Sequence, residues 1–321
     1  MQLLKNILLS IFFLACIFSN IYSAEKEGIK SEVRFEYNVR EEFGEYNEIL
    51  SEKVKIKYDK NGNKLKYSSN DYKNKYKYNK IEKLIKDESY NFVDSIYTKK
   101  IFEYDSTGSV INEFNYKDND KIFLWYTYQY DQKNRKIKEL QYNADSLLTL
   151  TCSLNYNEFD KITDKSCFSI NGNLKNNRYG ISRYTYTYNL QNNPTQEQLY
   201  SESGELLSNY KINYDSHGNM IDRTQYDLSG KIRNDEYGIS RYIYKYDQSH
   251  NMIEERHYNS DGGLMRRFSN EYNNSHHIIS RSEYLEEEGF DIDGSSLVSK
   301  TVYEYKYKKN YLRKFIQFFV F

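Results

Sequence analysis

Tyr214-Asp215-Ser216-His217-Gly218-Asn219 is the stretch on which the fold turns. Asp suits the first position of a type I turn because its carboxylate caps the backbone amides ahead. Gly three residues later takes positive φ at little cost. Together they predict a type I turn closed by a G1 bulge, a standard antiparallel hairpin connection. The glycine position recurs as Gly62 and Gly108, and as Asn134, Asn192, His250 and His276 in four other units. Asn is the commonest non-Gly choice for left-handed backbone, and His is enriched there too.

The leading tyrosine is one of ten markers: Tyr58, Tyr78, Tyr104, Tyr130, Tyr156, Tyr188, Tyr214, Tyr246, Tyr272 and Tyr305. Their steps are 20, 26, 26, 26, 32, 26, 32, 26 and 33 residues. Such self-similarity means stacked supersecondary units. Twelve residues after each of eight markers stands another aromatic, as at Tyr116, Tyr200, Tyr226 and Tyr284. Four residues beyond several of these stand Gly172, Gly204, Gly230 and Gly262. Each unit of about 26 residues is therefore one β-hairpin plus the turn to the next. Alternation in Tyr126-Thr127-Tyr128-Gln129-Tyr130 and Tyr242-Ile243-Tyr244-Lys245-Tyr246 agrees, since period two is the strand signal.

The predicted fold is all-β, an elongated coiled antiparallel sheet of repeated hairpins. Pairing read from the turn sets Tyr214 opposite Met220 and Tyr210 opposite Thr224. Even offsets then share the tyrosine face, and odd offsets, including Ile137, Ile221 and Ile253, share the other. On this reading Cys152 and Cys167 point to opposite faces and stay unbridged. The unequal half-units of twelve and fourteen residues shift the register by two per unit, a steady shear that coils the sheet. A six-residue insert, Tyr179-Gly180-Ile181-Ser182-Arg183-Tyr184, repeats as Tyr237-Gly238-Ile239-Ser240-Arg241-Tyr242. It reads as duplication of a 58-residue block, or as a binding ledge.

Residues 1–24 read as a secretory signal peptide: Lys5, an apolar run from Ile7 to Phe18, then small residues before Glu25. The run is too short for an ordinary membrane-spanning helix. Phe13-Leu14-Ala15-Cys16 offers a lipoprotein alternative through Cys16, which Ile17 and Phe18 oppose by continuing the apolar run. Residues 25–51 are assigned to an N-terminal capping strand region, 52–307 to the repeat array and 308–321 to a tail ending in Phe321. The expected location is secreted, periplasmic or cell-surface. Lys plus Arg and Asp plus Glu both number 46, so net charge gives no argument for nucleic acid or an anionic membrane.

Tyr-Asp-x-x-Gly-Asn, complete at Tyr58 to Asn63 and Tyr214 to Asn219, resembles the YD repeat of the Rhs family. The resemblance covers roughly residues 52 to 307. It implies strand-turn-strand units that wind into a shell, in some members around a toxin. About ten units are too few for a closed shell, and no toxin-like region follows the repeats. Half-units such as Tyr226-Asp227-Leu228-Ser229-Gly230-Lys231 also look like MORN-type hairpin repeats. Either likeness implies a scaffold.

His250 and His276 occupy equivalent turns and could approach each other, but no third ligand joins them at metal spacing. Asp291-Ile292-Asp293-Gly294-Ser295 lacks the frame of a calcium loop. No nucleophile elbow or phosphate loop is present. The expectation is a non-enzyme without metal or cofactor, which binds a protein or carbohydrate at the cell surface. Its candidate ligand residues are Tyr184, Tyr186, Tyr242 and Tyr244 with Arg183 and Arg241. Asp59, Gly62, Asp105, Gly108, Asp215, Gly218, Gly230 and Gly262 are structural turn residues. The alternatives are a purely structural or assembly element and an outer-membrane-associated protein.

Overall fold

A computed structural model describes residues 28–42, 45–118, 120–286 and 295–307. The signal peptide, Cys16, the tail and Asp291 to Gly294 of the calcium-like stretch lie outside them. The described residues form twenty strands and no helix. They are β1 (Ile29–Glu42), β2 (Glu45–Tyr58), β3 (Lys64–Ser68), β4 (Tyr72–Tyr78), β5 (Leu84–Asn91), β6 (Ile96–Tyr104), β7 (Val110–Lys117), β8 (Lys121–Tyr130), β9 (Lys136–Asn143) and β10 (Leu148–Tyr156). There follow β11 (Ile162–Phe168), β12 (Arg183–Tyr188), β13 (Pro194–Tyr200), β14 (Leu206–Tyr214), β15 (Met220–Gln225), β16 (Arg241–Tyr246), β17 (Met252–Tyr258), β18 (Leu264–Tyr272), β19 (Ile278–Glu286) and β20 (Ser295–Tyr307).

Each strand pairs antiparallel with its neighbours in sequence, and β20 pairs with β1. The sheet is therefore a closed barrel, not an open elongated one. The shear is the one the half-unit lengths give. Phe102 faces Glu113, which faces Tyr126, so crossing one hairpin moves the row from two to four residues before the marker. The closing hairpin behaves alike: Tyr303 faces Arg34, which faces Val54. Two residues at each of ten hairpins make a shear of about 20, equal to the strand number, which tilts strands by roughly 36° as in other barrels of that ratio. A sheet so tilted can bring its two edges together, which pairs the edge N–H and C=O groups that an open array leaves bare. The region assigned as a cap supplies β1, the strand that completes the ring.

Turn chemistry explains the hairpins. The Asp59, Asp105 and Asp215 carboxylates each accept the backbone amides two and four residues on. Gly62, Gly108 and Gly218 stand at φ of 83° to 88°, and Gly230 and Gly262 at 82° and 86°. Asn134, His250 and His276 occupy the same left-handed position, as do Glu82 and Asp160, which the sequence reading missed. These larger residues latch neighbouring turns. Asn134 accepts from Ser109 Oγ at 2.8 Å, Asp160 accepts from Arg135 at 2.6 Å, and His250 and His276 each meet an Asn side chain at 3.1 Å. The latch offsets the cost of left-handed backbone. The rings of His217 and His250 lie 4.8 Å apart. His276 meets Asn251, not His250.

The bulge at each turn corrects the face assignment. Tyr214 faces Met220, but Tyr210 faces Gln225, because the register slips by one residue beside the marker. One bulge separates a marker from the aromatic twelve residues on, so that aromatic lies on the opposite face. Lys99, Lys211 and Arg267 cover Tyr116, Tyr226 and Tyr284 there, at 3.9 to 4.8 Å. Between Tyr104 and Tyr130, for example, a second bulge follows, and where no second bulge occurs the connection between strands restores the parity, so markers keep one face. The same single bulge puts Cys152 directly opposite Cys167, where they form a disulfide within a small buried cluster with Leu150.

Nine of the ten marker hydroxyls donate to the backbone carbonyl of the first residue of the preceding strand, at 2.5–2.9 Å. That carbonyl belongs to the residue opposite the previous marker, so each tyrosine locks its hairpin to the last. Tyr58 instead donates to the buried Glu32 carboxylate at 2.7 Å, beside the cluster of Ile29, Val54 and Ile56. Tyr214→Phe is expected to lower stability by about 1 kcal/mol by orphaning the Pro194 carbonyl. Tyr226→Phe, which keeps its ring under Lys211, is expected to stay within about 0.5 kcal/mol. Urea denaturation of the two variants compares them.

Candidate functional site

In β2, Val54, Ile56 and Tyr58 are buried while Lys53, Lys55 and Lys57 are exposed. The buried face is the inward face of the ring, and it carries the markers. Tyr184, Tyr186, Tyr242 and Tyr244 all lie on it, with Tyr186 and Tyr244 buried. Arg183 and Arg241 alternate with them and so point outward, ion-paired to Asp164 at 2.6 Å and Asp222 at 2.5 Å. The six candidate residues therefore divide between two faces, as strand alternation requires.

The duplicated inserts fold alike. Each ends in a turn, Asn177 to Gly180 and Asp235 to Gly238, followed by a buried Ile181 or Ile239 and a fully buried Ser182 or Ser240. Asn177 Nδ2 donates to the Tyr184 hydroxyl at 2.8 Å, and the Tyr242 hydroxyl donates to Asp235 Oδ2 at 3.1 Å. The inserts thus reach the inward face and frame it between β12 and β16. Burial pushes the Tyr184 and Tyr210 hydroxyls up to about 12, so both remain donors at neutral pH.

A charged row that sequence reasoning missed runs through this face. Nine residues after successive markers stand Asp87, Glu113, Glu139, Lys165, Glu197, Arg223, Glu255 and Arg281. Lys165 meets Glu139 at 2.7 Å, Arg223 meets Glu197 at 3.2 Å and Arg281 meets Glu255 at 3.1 Å, each pair spanning 26 residues and two strands. Arg223 also lies over the Tyr210 ring at 3.5 Å, and His257 bonds Glu255 at 2.8 Å. The signal was present as alternating sign at one repeat position, but only the bulge shows that this position faces inward. Five buried atoms of this face have no hydrogen-bond partner among the described residues: Asp87 Oδ1, Gln225 Oε1, Tyr244 Oη, His257 Nδ1 and Asn270 Oδ1. Among the described residues no cluster of three or more His, Cys, Asp or Glu could hold a metal.

Burial alone would raise the Glu139 carboxyl, but Lys165 and Lys136 hold it below its ordinary range. Burial likewise opposes the Glu255 charge, and His257 and Arg281 outweigh it. A depressed carboxyl stabilises the fold above its unfolded value, about 4.3, and loses that contribution as pH falls below it. The urea midpoint is therefore expected to drop between about pH 5 and pH 3. Glu139→Gln with Glu255→Gln should be less stable at pH 7 and show a shallower acid slope.

No protein-family model matches the chain, and no curated protein matches it. Solved structures similar to it include a Photorhabdus luminescens Tc holotoxin pore (16% identity, 74% of this chain and 13% of that chain, TM-score 0.41). A TcdB2–TccC3 complex follows at 17% identity, with 84% of this chain, 15% of that chain and a TM-score of 0.41. A porin-like protein from Bacteroides uniformis shows 10% identity over 86% of this chain and 97% of that chain, with a TM-score of 0.37. The chain spans less than a sixth of the length of the two toxin chains.

Proposed function

We propose that this chain is an exported, non-enzymatic β-repeat protein whose inward tyrosine face binds a cell-surface partner, a protein or a glycan. The supporting observation is the face framed by the two inserts. It combines tyrosine rings, paired charges and buried polar atoms without protein partners. Rings and hydroxyls together suit sugar or protein recognition, and unsatisfied buried polar groups call for water or ligand. A glycan array and a pull-down with the chain lacking residues 1–24 test it. Binding that Tyr184→Ala and Tyr242→Ala weaken is the expected result; hydrolysis of any polymer tested would sink the proposal.

The tyrosine-to-carbonyl ladder favours a second reading, a purely structural element that acts by covering or assembling. Concentration-dependent light scattering, with no ligand on the array, would support it.

A further inference from the structure

The zero net charge of the chain conceals a strong local excess. Between Lys53 and Lys86 stand twelve lysines against three carboxylates, Asp59, Asp71 and Glu82, a net charge of +9. The fold sorts this excess onto one wall. In β2, β3 and β4 the inward residues are Val54, Ile56, Tyr58, Tyr67, Tyr76 and Tyr78. The outward set is Lys55, Lys57, Lys66, Lys73, Lys75 and Lys77, all exposed.

The register sharpens the crowding. Lys57 faces Lys66, which faces Lys75, and Lys77 faces Lys86. Like charges directly opposite one another destabilise a sheet. Lys86 finds Glu88 at 2.8 Å. Lys75 faces that same Glu88 across β4 and β5. The other five outward lysines of β2 to β4 face no carboxylate in the register and have no ion pair among the described residues. Such a row presents a surface for an external anion.

Two features select the anion. First, the segment contains no arginine. Recognition of a single discrete carboxylate or phosphate favours the guanidinium fork, whereas lysine acts as a hydrated point charge. A wall of point charges suits a surface of many headgroup phosphates better than one bound anion. Second, the wall ends in an apolar turn. Phe92 and Val93, at the tip between β5 and β6, are 48% and 71% exposed, and the Tyr90 ring lies 5.1 Å from that of Phe92. Phe92 N donates to the Asp71 carbonyl at 2.8 Å, which holds this tip against the turn between β3 and β4. A shallow groove of about 250 Å³ joins tip to wall; Lys73, Lys75, Tyr90, Phe92 and Tyr97 line it, together with Ser89 and one carboxylate, Glu88, which Lys86 neutralises. Apolar and aromatic tips beside basic residues suit the headgroup boundary of a bilayer. The carboxylates near the tip are Asp71, Asp94, Glu88 and Asp118: Asp94 accepts from Asn91, Glu88 from the Tyr97 hydroxyl and Asp118 from the Tyr97 amide.

We infer that the outward face of β2 to β5 is a peripheral docking surface for an anionic phospholipid bilayer. The lysines meet headgroup phosphates and the Phe92-Val93 tip enters the interface. The barrel lies on the membrane by one wall and does not span it, since lysines on a lipid-facing wall are unfavourable at membrane depth. This surface is separate from the inward face and is tested separately.

The experiment is cosedimentation of the full chain lacking residues 1–24 with vesicles of phosphatidylcholine, with and without about one-third phosphatidylglycerol. Binding to the anionic vesicles alone is expected, with loss at about 0.5 M salt. K66E/K73E/K77E should weaken it by about a hundredfold, while its Tm equals or exceeds that of the parent, because the carboxylates at 66 and 77 then face lysines. F92S/V93S should weaken binding by about tenfold with the salt dependence unchanged. Equal binding to both vesicles, or undiminished binding by K66E/K73E/K77E, would overturn the inference. So would binding to single-stranded DNA or a sulfated polysaccharide without binding to vesicles.

Discussion

Replacing Arg223 by alanine is expected to destabilise the fold by about 3–5 kcal/mol, among the largest effects of any single substitution in this chain. Arg223 is 7% exposed and Glu197 4%, and each is the other's ion-pair partner at 3.2 Å. Removing the guanidinium leaves a carboxylate buried without its counter-charge and strips the cation from the Tyr210 ring. A buried pair is expensive to break but not to replace. Arg223→Met combined with Glu197→Leu is therefore expected to recover stability to within about 1 kcal/mol of the parent, or to exceed it. The exposed pair of Arg183 with Asp164 supplies the contrast: Arg183→Ala should cost less than about 1 kcal/mol. Urea midpoints of the four proteins at pH 7 decide the matter. A double variant as unstable as Arg223→Ala would mean that the charges themselves, not their burial, hold this wall together.

Loss of the disulfide is the second large effect. Cys152 and Cys167 close a loop of 15 residues across the β10–β11 hairpin, for which the chain-entropy relation gives about 3 kcal/mol. Cys152→Ala with Cys167→Ala is expected to lower stability by that amount. A thiol reductant should lower the parent's urea midpoint to match and leave the double variant unmoved. A parent indifferent to reductant would show free thiols, the state that sequence parity implied.

The disulfide shows how far the chain could be read from its letters. The turn motif gave the hairpins, and the half-unit lengths gave a shear of two residues per hairpin; both stand in the barrel. The faces failed wherever one bulge intervened, since an extra residue reverses the parity that period-two reasoning depends on. That single slip hid the Cys152–Cys167 bond and sent Tyr116 and Tyr226 to the wrong side. It also concealed the inward row of Glu139, Lys165, Glu197 and Arg223. The candidate site was legible as a set of tyrosines, but not as a face: Arg183 and Arg241, adjacent in sequence to Tyr184 and Tyr242, project from the other side.

The sequence by itself determined the local rules: Asp or Asn opening each marker turn, a left-handed residue closing it, alternation along each strand, and the 26-residue step shared by most units. These depend on φ preferences and on neighbours a few residues apart. Closure was decided only in three dimensions. It requires β1 to meet β20 across nearly the whole chain, and no local preference at Ile29 or Tyr307 encodes that meeting. It follows from the summed shear of ten hairpins and from the gain of pairing two bare edges. The lysine wall was decided the same way, because charges spread over three strands become one surface only when register sets Lys57, Lys66 and Lys75 side by side.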